Sequence, residues 1–301
     1  MMMAAVIKLR IYYNSQFREK VFVESGRRLL IIFSCCLVML MAVIINTQAA
    51  TITVPDNYKT IHEAVENAQA GDTVFVKSGN YHENIVISKS LTLKSEKGAD
   101  TTVIKPSNPS EPVIKVTEVN NVTVIGFTAT GSAISGIYLY KAGNVNVIEN
   151  NTIENRNGIF LYSSNNNTLT GNTAKSNDQT GIYLETSNGN TIEKNIADSN
   201  REKGMFLISS QTNTIKDNSA SLNTWNGITL WSSNNNTIKG NKVYRNTYGI
   251  IMSNSTGNNV TENPTWTNFY IILPIILIYL GVLLYWVERR IFLLFYREKP
   301  I

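Results

Sequence analysis

The residues able to carry chemistry in this chain are few and scattered. Its polar middle, from about Thr51 to Asn268, holds His62 and His82 as its imidazoles and Met205 and Met252 as its thioethers. It has no thiol, because Cys35 and Cys36 both fall in an apolar run upstream. A copper or zinc site gathers such ligands within bonding distance, so His62 and His82 offer at most one weak two-ligand site and no cofactor is predicted. Hydrolysis of a glycosidic bond needs two carboxylates roughly 5–10 Å apart on one face. Elimination needs a calcium-binding acid cluster beside a basic proton acceptor. The sequence has no Asp-Asp pair, and no position at which two successive full repeats both carry an acid. Glu193 and Asp217 sit in adjacent repeats one position apart, which sends them to opposite faces, and Asp217 instead falls beside Lys194, predicting a surface ion pair.

The elements that position these residues follow from internal repetition. A Gly-Ile-x-Leu-like segment starts at Gly136, Gly158, Gly181, Gly204, Gly227 and Gly249, a spacing of 22 or 23 residues. Fainter starts precede it at Thr73-Val-Phe-Val, Leu91-Thr-Leu and Val113-Ile-Lys-Val, giving about nine coils. Within a coil, apolar and polar residues alternate in short stretches, as in strands with one buried face. Ile159 and Leu161 point inward in the first stretch, Leu169, Ile192, Ile215 and Ile238 in the second, and Ala174, Ala197, Ala220 and Val243 in the third. Three short strands and tight turns leave no room for a helix in each coil. The predicted fold is all-β: a right-handed single-stranded parallel β-helix rising about 4.8 Å per rung, or roughly 40 Å in all.

Inward Ile and Leu leave the alternate positions outward. The first outward position carries Tyr138, Phe160, Tyr183 and Phe206, and the second adds Tyr140, Tyr162 and Trp231. This predicts an aromatic ladder along one face, suited to the apolar faces of sugar rings or to an aromatic-rich partner protein. Asparagine recurs fourteen residues after each anchor (Asn150, Asn172, Asn195, Asn218, Asn241 and Asn263) and nineteen after (Asn155, Asn177, Asn200, Asn223, Asn246 and Asn268). Such columns predict structural ladders, with Asn supplying left-handed corners and amides bonding from rung to rung. Sequons for N-glycosylation start at Asn121, Asn150, Asn166, Asn235, Asn254 and Asn259. Asn150 belongs to a ladder and is the least available of them.

Charge and hydropathy divide the rest. The chain carries 27 Lys+Arg against 22 Asp+Glu, yet residues 51–268 hold 17 against 18, so the excess lies in the tails and no nucleic-acid partner is predicted. Residues 1–50 read as a basic tail and a signal peptide or signal anchor. Arg27-Arg28 precede the apolar run Leu29–Ile45, and small residues near Ala49 would permit cleavage. Residues 51–70 read as a first strand and a capping helix, with Thr60 and Glu63 at capping-box spacing and Ile61, Ala64, Val65 and Ala68 at helical intervals. The repeats fill 71–268. Residues 269–287 are apolar and long enough to span a bilayer, and the basic 288–301 would stay in the cytoplasm. The β-helix is then extracellular, its last coil on the membrane with Trp266 and Tyr270 at the interface.

The segment VPDNYKTIHEAVENAQAGDTVFVKSGNYHENIVISKSLTLKS from Val54, together with the Gly-Ile-x-Leu and Asn-Thr-Ile-x-x-Asn coils, resembles NosD-like proteins and the wider pectin-lyase-like β-helices over about 52–263. The resemblance implies the fold. It leaves three functional readings, because the repeat is shared by enzymes, binders and structural proteins. The first is a membrane-anchored cell-surface module with a structural or recognition role, binding carbohydrate or another surface protein, with no catalytic residues. The second is a polysaccharide-active lyase, hydrolase or epimerase. The third, implied by the NosD resemblance, is an accessory factor for copper delivery.

Overall fold

The computed structural model describes residues 49–266, together with six positions (25, 28, 30 and 32–34) of a separate unit spanning residues 1–48. The rest of the predicted signal segment, the 269–287 run, the 288–301 tail and Asn268 lie outside the described residues. Among the described residues, no helix is long and apolar enough to cross a membrane.

From Thr51 onward the chain is a parallel β-helix. The strands form one ten-stranded sheet, one of eight and one of five, with a further strand pair, Val243–Tyr244 and Thr265–Trp266, at the C-terminal end. One coil shows the plan: Asn157–Tyr162, Thr168–Thr170 and Thr173–Lys175 belong to three different sheets. Residues one repeat apart are register partners, as in Ile159 with Ile182, Leu169 with Ile192 and Thr152 with Ala174. The predicted inward residues are all buried, including the small third-stretch column of Ala174, Ala197, Ala220 and Val243. Small side chains are required there because the glycine anchors approach the next coil closely. A Cβ on Gly181 would fall 2.8 Å from the carbonyl oxygen of Gly204 and 3.0 Å from that of Ala174.

The three faint starts do not share one face. Ile114 pairs with Ile137 and continues the Gly-Ile-x-Leu sheet, whereas Thr73–Val76 and Thr92–Ser95 pair in the sheet that holds Leu169 and Ile192. In the early coils the apolar pattern alone cannot distinguish these sheets, since all three present alternating buried residues.

A helix, Ile61–Asn67, packs against strands Thr51–Val54, Thr73–Val76 and Ile85–Ile87 through buried Ile61, Ala64 and Val65. Thr60 accepts from Glu63 N as the spacing predicts, and the first two helical N–H groups are held by Glu83, whose oxygens accept from Ile61 N at 3.0 Å and His62 N at 2.8 Å. These are donors a helix start leaves unpaired.

Candidate functional site: the aromatic stripe and its polar ladders

The stripe begins from the two outward positions of the Gly-Ile-x-Leu strands. Tyr138, Phe160, Tyr183 and Phe206 are register partners in four successive coils, and Tyr140 and Tyr162 are partners beside them. The rings stack. Centroids lie 5.0 Å apart for Tyr138 and Phe160, 4.5 Å for Phe160 and Tyr183, and 5.2 Å for Tyr183 and Phe206, with planes within 24°. Tyr140 and Tyr162 are 5.8 Å apart and parallel to within 3°.

This stacking alters the chemistry on offer. A ring packed face to face on its neighbours shows solvent its edge rather than its face. One end of each stack is covered too, with Lys141 Nζ 5.0 Å from the Tyr140 centroid and Lys203 Nζ 4.9 Å from that of Phe206. Flat ring faces for sugars are therefore not what the stacked members present; they offer ring edges and phenol oxygens. Tyr183 Oη donates to Glu185 at 2.8 Å, and burial together with that carboxylate raises its pKa. Burial pushes Tyr138 up to about 12. Trp231 differs: its register partners are Ile208 and Ser253, and half its surface is exposed.

Sequence reasoning missed Trp225. It stands half exposed, with Lys203 Nζ 4.8 Å from its centroid, so Lys203 lies against two rings while pairing with Glu202 at 3.1 Å. No periodic signal marks Trp225: the residue two before the next glycine anchor is Glu202 in the coil before it and Thr247 in the coil after.

The asparagine columns are continuous hydrogen-bonded ladders. Asn172 Nδ2 donates to Asn195 Oδ1 at 2.9 Å, and Asn177 Nδ2 to Asn200 Oδ1 at 3.0 Å. Asn150, Asn155, Asn218, Asn223, Asn241 and Asn246 are likewise buried, and Asn263 ends its column half-buried. One expectation is corrected. The ladder asparagines do not make the left-handed corners; the residue before each does, with φ 52° at Glu149, 55° at Lys194 and 60° at Leu222. The positive φ turns the next side chain into the rod, where its amide can bridge rungs. Two further columns escaped the sequence reading: Asn167, Asn190, Asn213, Asn236 and Asn258, and Ser164, Ser187, Ser210, Ser233 and Ser255. Their fixed spacing, nine and six residues after the anchor, was the available signal.

The predicted pair of Asp217 with Lys194 does not form. Asp217 pairs with Lys216 at 3.4 Å, since its carboxylate tips over Gly240 of the following coil and away from Lys194. His62 lies on the helix with Nε2 3.2 Å from Glu66, in a shallow cleft lined by Val65, Val86 and Lys89, among others. His82 is exposed on a different sheet and does not line that cleft. Among the described residues no three His, Cys, Asp or Glu side chains are grouped to hold a metal ion, and His62 and His82 do not share a site. Of the sequons, Asn150 is buried, while Asn121, Asn166, Asn235, Asn254 and Asn259 are exposed, the first four of them at positive-φ corners.

The family model described as "Periplasmic copper-binding protein (NosD)" matches residues 65–270. The chain belongs to the NosD family. This NosD-family chain is 33% identical over 128 residues to a cell surface glycoprotein of Methanothermus fervidus, a match covering 40% of the chain and 21% of that protein. Among solved structures it resembles pectate lyase Pel9A, with a TM-score of 0.56 and 14% identity over 72% of this chain and 80% of that one. It also resembles the periplasmic alginate epimerase AlgG, with a TM-score of 0.50 and 16% identity over 66% and 59%. At these identities the likeness is one of fold alone, a parallel β-helix.

Proposed function

We propose that this NosD-family protein is a non-catalytic β-helix displayed on the outer face of a cell, anchored by its apolar segment 269–287, with a structural and recognition role directed at carbohydrate. The observation that carries the reading is how its polar groups are used. Several outward carboxylates are tied to cations or hydroxyls: Asp178 to Arg201, Glu262 to Lys239, Glu118 to Lys141, and Asp198 to Ser219. A glycosidase or lyase would instead aim acids at one another or at a shared cation. The aromatic stripe, by contrast, is continuous over four coils and fixed by its own stacking, which makes it a stiff, preorganised surface. Carbohydrate would meet ring edges and phenol oxygens along the stripe and the more open Trp231. The M. fervidus relative supports surface display, and the exposed sequons fit a glycosylated exterior.

The test is retention of the full-length protein on a glycan array, with Trp231→Ala and Tyr162→Phe beside it. Retention that falls at least fivefold in Trp231→Ala, with the fold unchanged by circular dichroism, is the expected result. Release of unsaturated or reducing products from any polysaccharide would overturn the non-catalytic reading.

A further inference from the structure

The two ends of the rod are finished differently. At the N-terminal end Val54 is fully buried and the helix Ile61–Asn67 lies against the first strand. At the C-terminal end the core is open among the described residues. Ile250, Met252 and Val260 continue the inward columns of Ile228, Leu230 and Ile238, each of which is 0% exposed. Met252 nevertheless stands 47% exposed, and Ile250 and Val260 are half-buried, because no described coil follows. A depression of about 490 Å³ opens there, lined by Tyr248, Ile250, Val260 and Asn263, among others. The large apolar side chains exposed on the β-helix also gather toward this end, at Leu222, Trp225, Trp231, Tyr248 and Met252, against Val86 and Ile196 elsewhere.

We propose that this open rung is seated on a lipid surface, at the headgroup layer, so that the membrane completes the core left open among the described residues. The proposal rests on the reading that 269–287 anchors the protein. Strand Thr265–Trp266 belongs to the last rung, and Phe269 follows three residues later, a reach of about 10 Å at most. Wherever the apolar run enters a bilayer, the open end is within that distance of it. Two rods anchored in one membrane cannot meet open end to open end, which removes a second copy as the occupant. The seat must be shallow. Among the described residues the last strands carry backbone groups with no partner strand, which headgroups and water can satisfy and hydrocarbon cannot. Tyr248 suits that boundary, and exposed Lys242 and Arg245 favour anionic headgroups.

The experiment uses the full chain with Cys35 and Cys36 changed to Ser, in vesicles of zwitterionic and anionic phospholipid. An environment-sensitive dye is placed at Met252→Cys, at exposed Ser253→Cys on the same rung, and at Arg201→Cys far from it. The expected result is blue-shifted emission at 252 and 253, quenched by headgroup-labelled lipid, with position 201 reporting water. Water-like emission at 252 and 253 while the protein floats with the vesicles overturns the seating and leaves the anchor standing. Failure to float overturns both. Blue-shifted emission at 252 that headgroup-labelled lipid does not quench means that protein covers the end, and also overturns the proposal.

Discussion

The side-chain oxygen of Asn218 accepts two hydrogen bonds from Asn195 in the coil before it, one from the backbone N–H at 2.9 Å and one from the side-chain amide at 3.0 Å. Asn195 serves Asn172 in the same way, at 2.9 Å and 2.9 Å. Each ladder residue is therefore both acceptor for the rung behind and donor to the rung ahead. Changing Asn195 to Ala strands two buried donors on Asn172, each worth about 1–3 kcal/mol. A loss of about 3 kcal/mol is expected in urea unfolding, against under about 0.5 kcal/mol for exposed Asn146→Ala. Equal losses would show that the ladder is not what holds the corner.

Gly181→Ala tests the close approach of coils. The added methyl would meet the Gly204 carbonyl oxygen at 2.8 Å and Asn200 Nδ2 at 2.7 Å, so rungs must part or the ladder amide must move. We expect a loss of about 2–3 kcal/mol, of the size overpacking causes. Gly171→Ala, at φ +67° with only the side chain of Glu149 nearby, should lose about 1 kcal/mol from its left-handed backbone alone. Thermal unfolding of the two variants gives the order, and a reversed order would refute the packing argument.

The stripe carries a pH dependence. Tyr138 is pushed up from 10.0 to about 12, chiefly by burial, and Tyr183 is raised by burial and by Glu185. A folded-state pKa above the unfolded one means the folded protein holds its phenolic protons where the unfolded chain releases them. The stabilisation is complete below pH 10 and is lost as pH rises from 10 toward 12. Denaturant midpoints should fall in that window and fall less steeply in Tyr138→Phe. An unchanged slope in that variant would rule out the stripe as the source.

Lys203 binds two rings and a carboxylate with its side chain only 15% exposed. Lys203→Met keeps the aliphatic length and removes the ammonium, and should cost about 1–2 kcal/mol. It should also alter the emission of Trp225, read against a Trp225→Phe reference. A silent spectrum would mean that the contact is not held in solution.

Sequon occupancy should follow burial in a host that performs N-glycosylation. Asn150, fully buried in its ladder, should carry no glycan, and peptide mass mapping should find occupancy only among Asn121, Asn166, Asn235, Asn254 and Asn259. A glycan on Asn150 would require the ladder to be open during synthesis.

The 22–23-residue spacing of Gly136 through Gly249, with the short apolar–polar alternation inside each repeat, determined the β-helix, because strands that short in a period that short must stack coil on coil. The inward columns and the two asparagine ladders followed from that spacing and from alternation. The Thr60 cap was legible as a local pattern. Three things depended on atoms brought together from different coils. Whether Tyr138, Phe160 and Tyr183 present faces or edges depends on side-chain rotation against the next rung. The left-handed corners fall on residues as dissimilar as Glu149 and Leu222, since the Asn that follows, rather than the corner residue, makes the compensating bonds. The exposure of Ile250 and Met252 is decided by where stacking stops. Periodicity specifies what repeats, while orientation within a rung and the condition of the ends are settled only by tertiary packing.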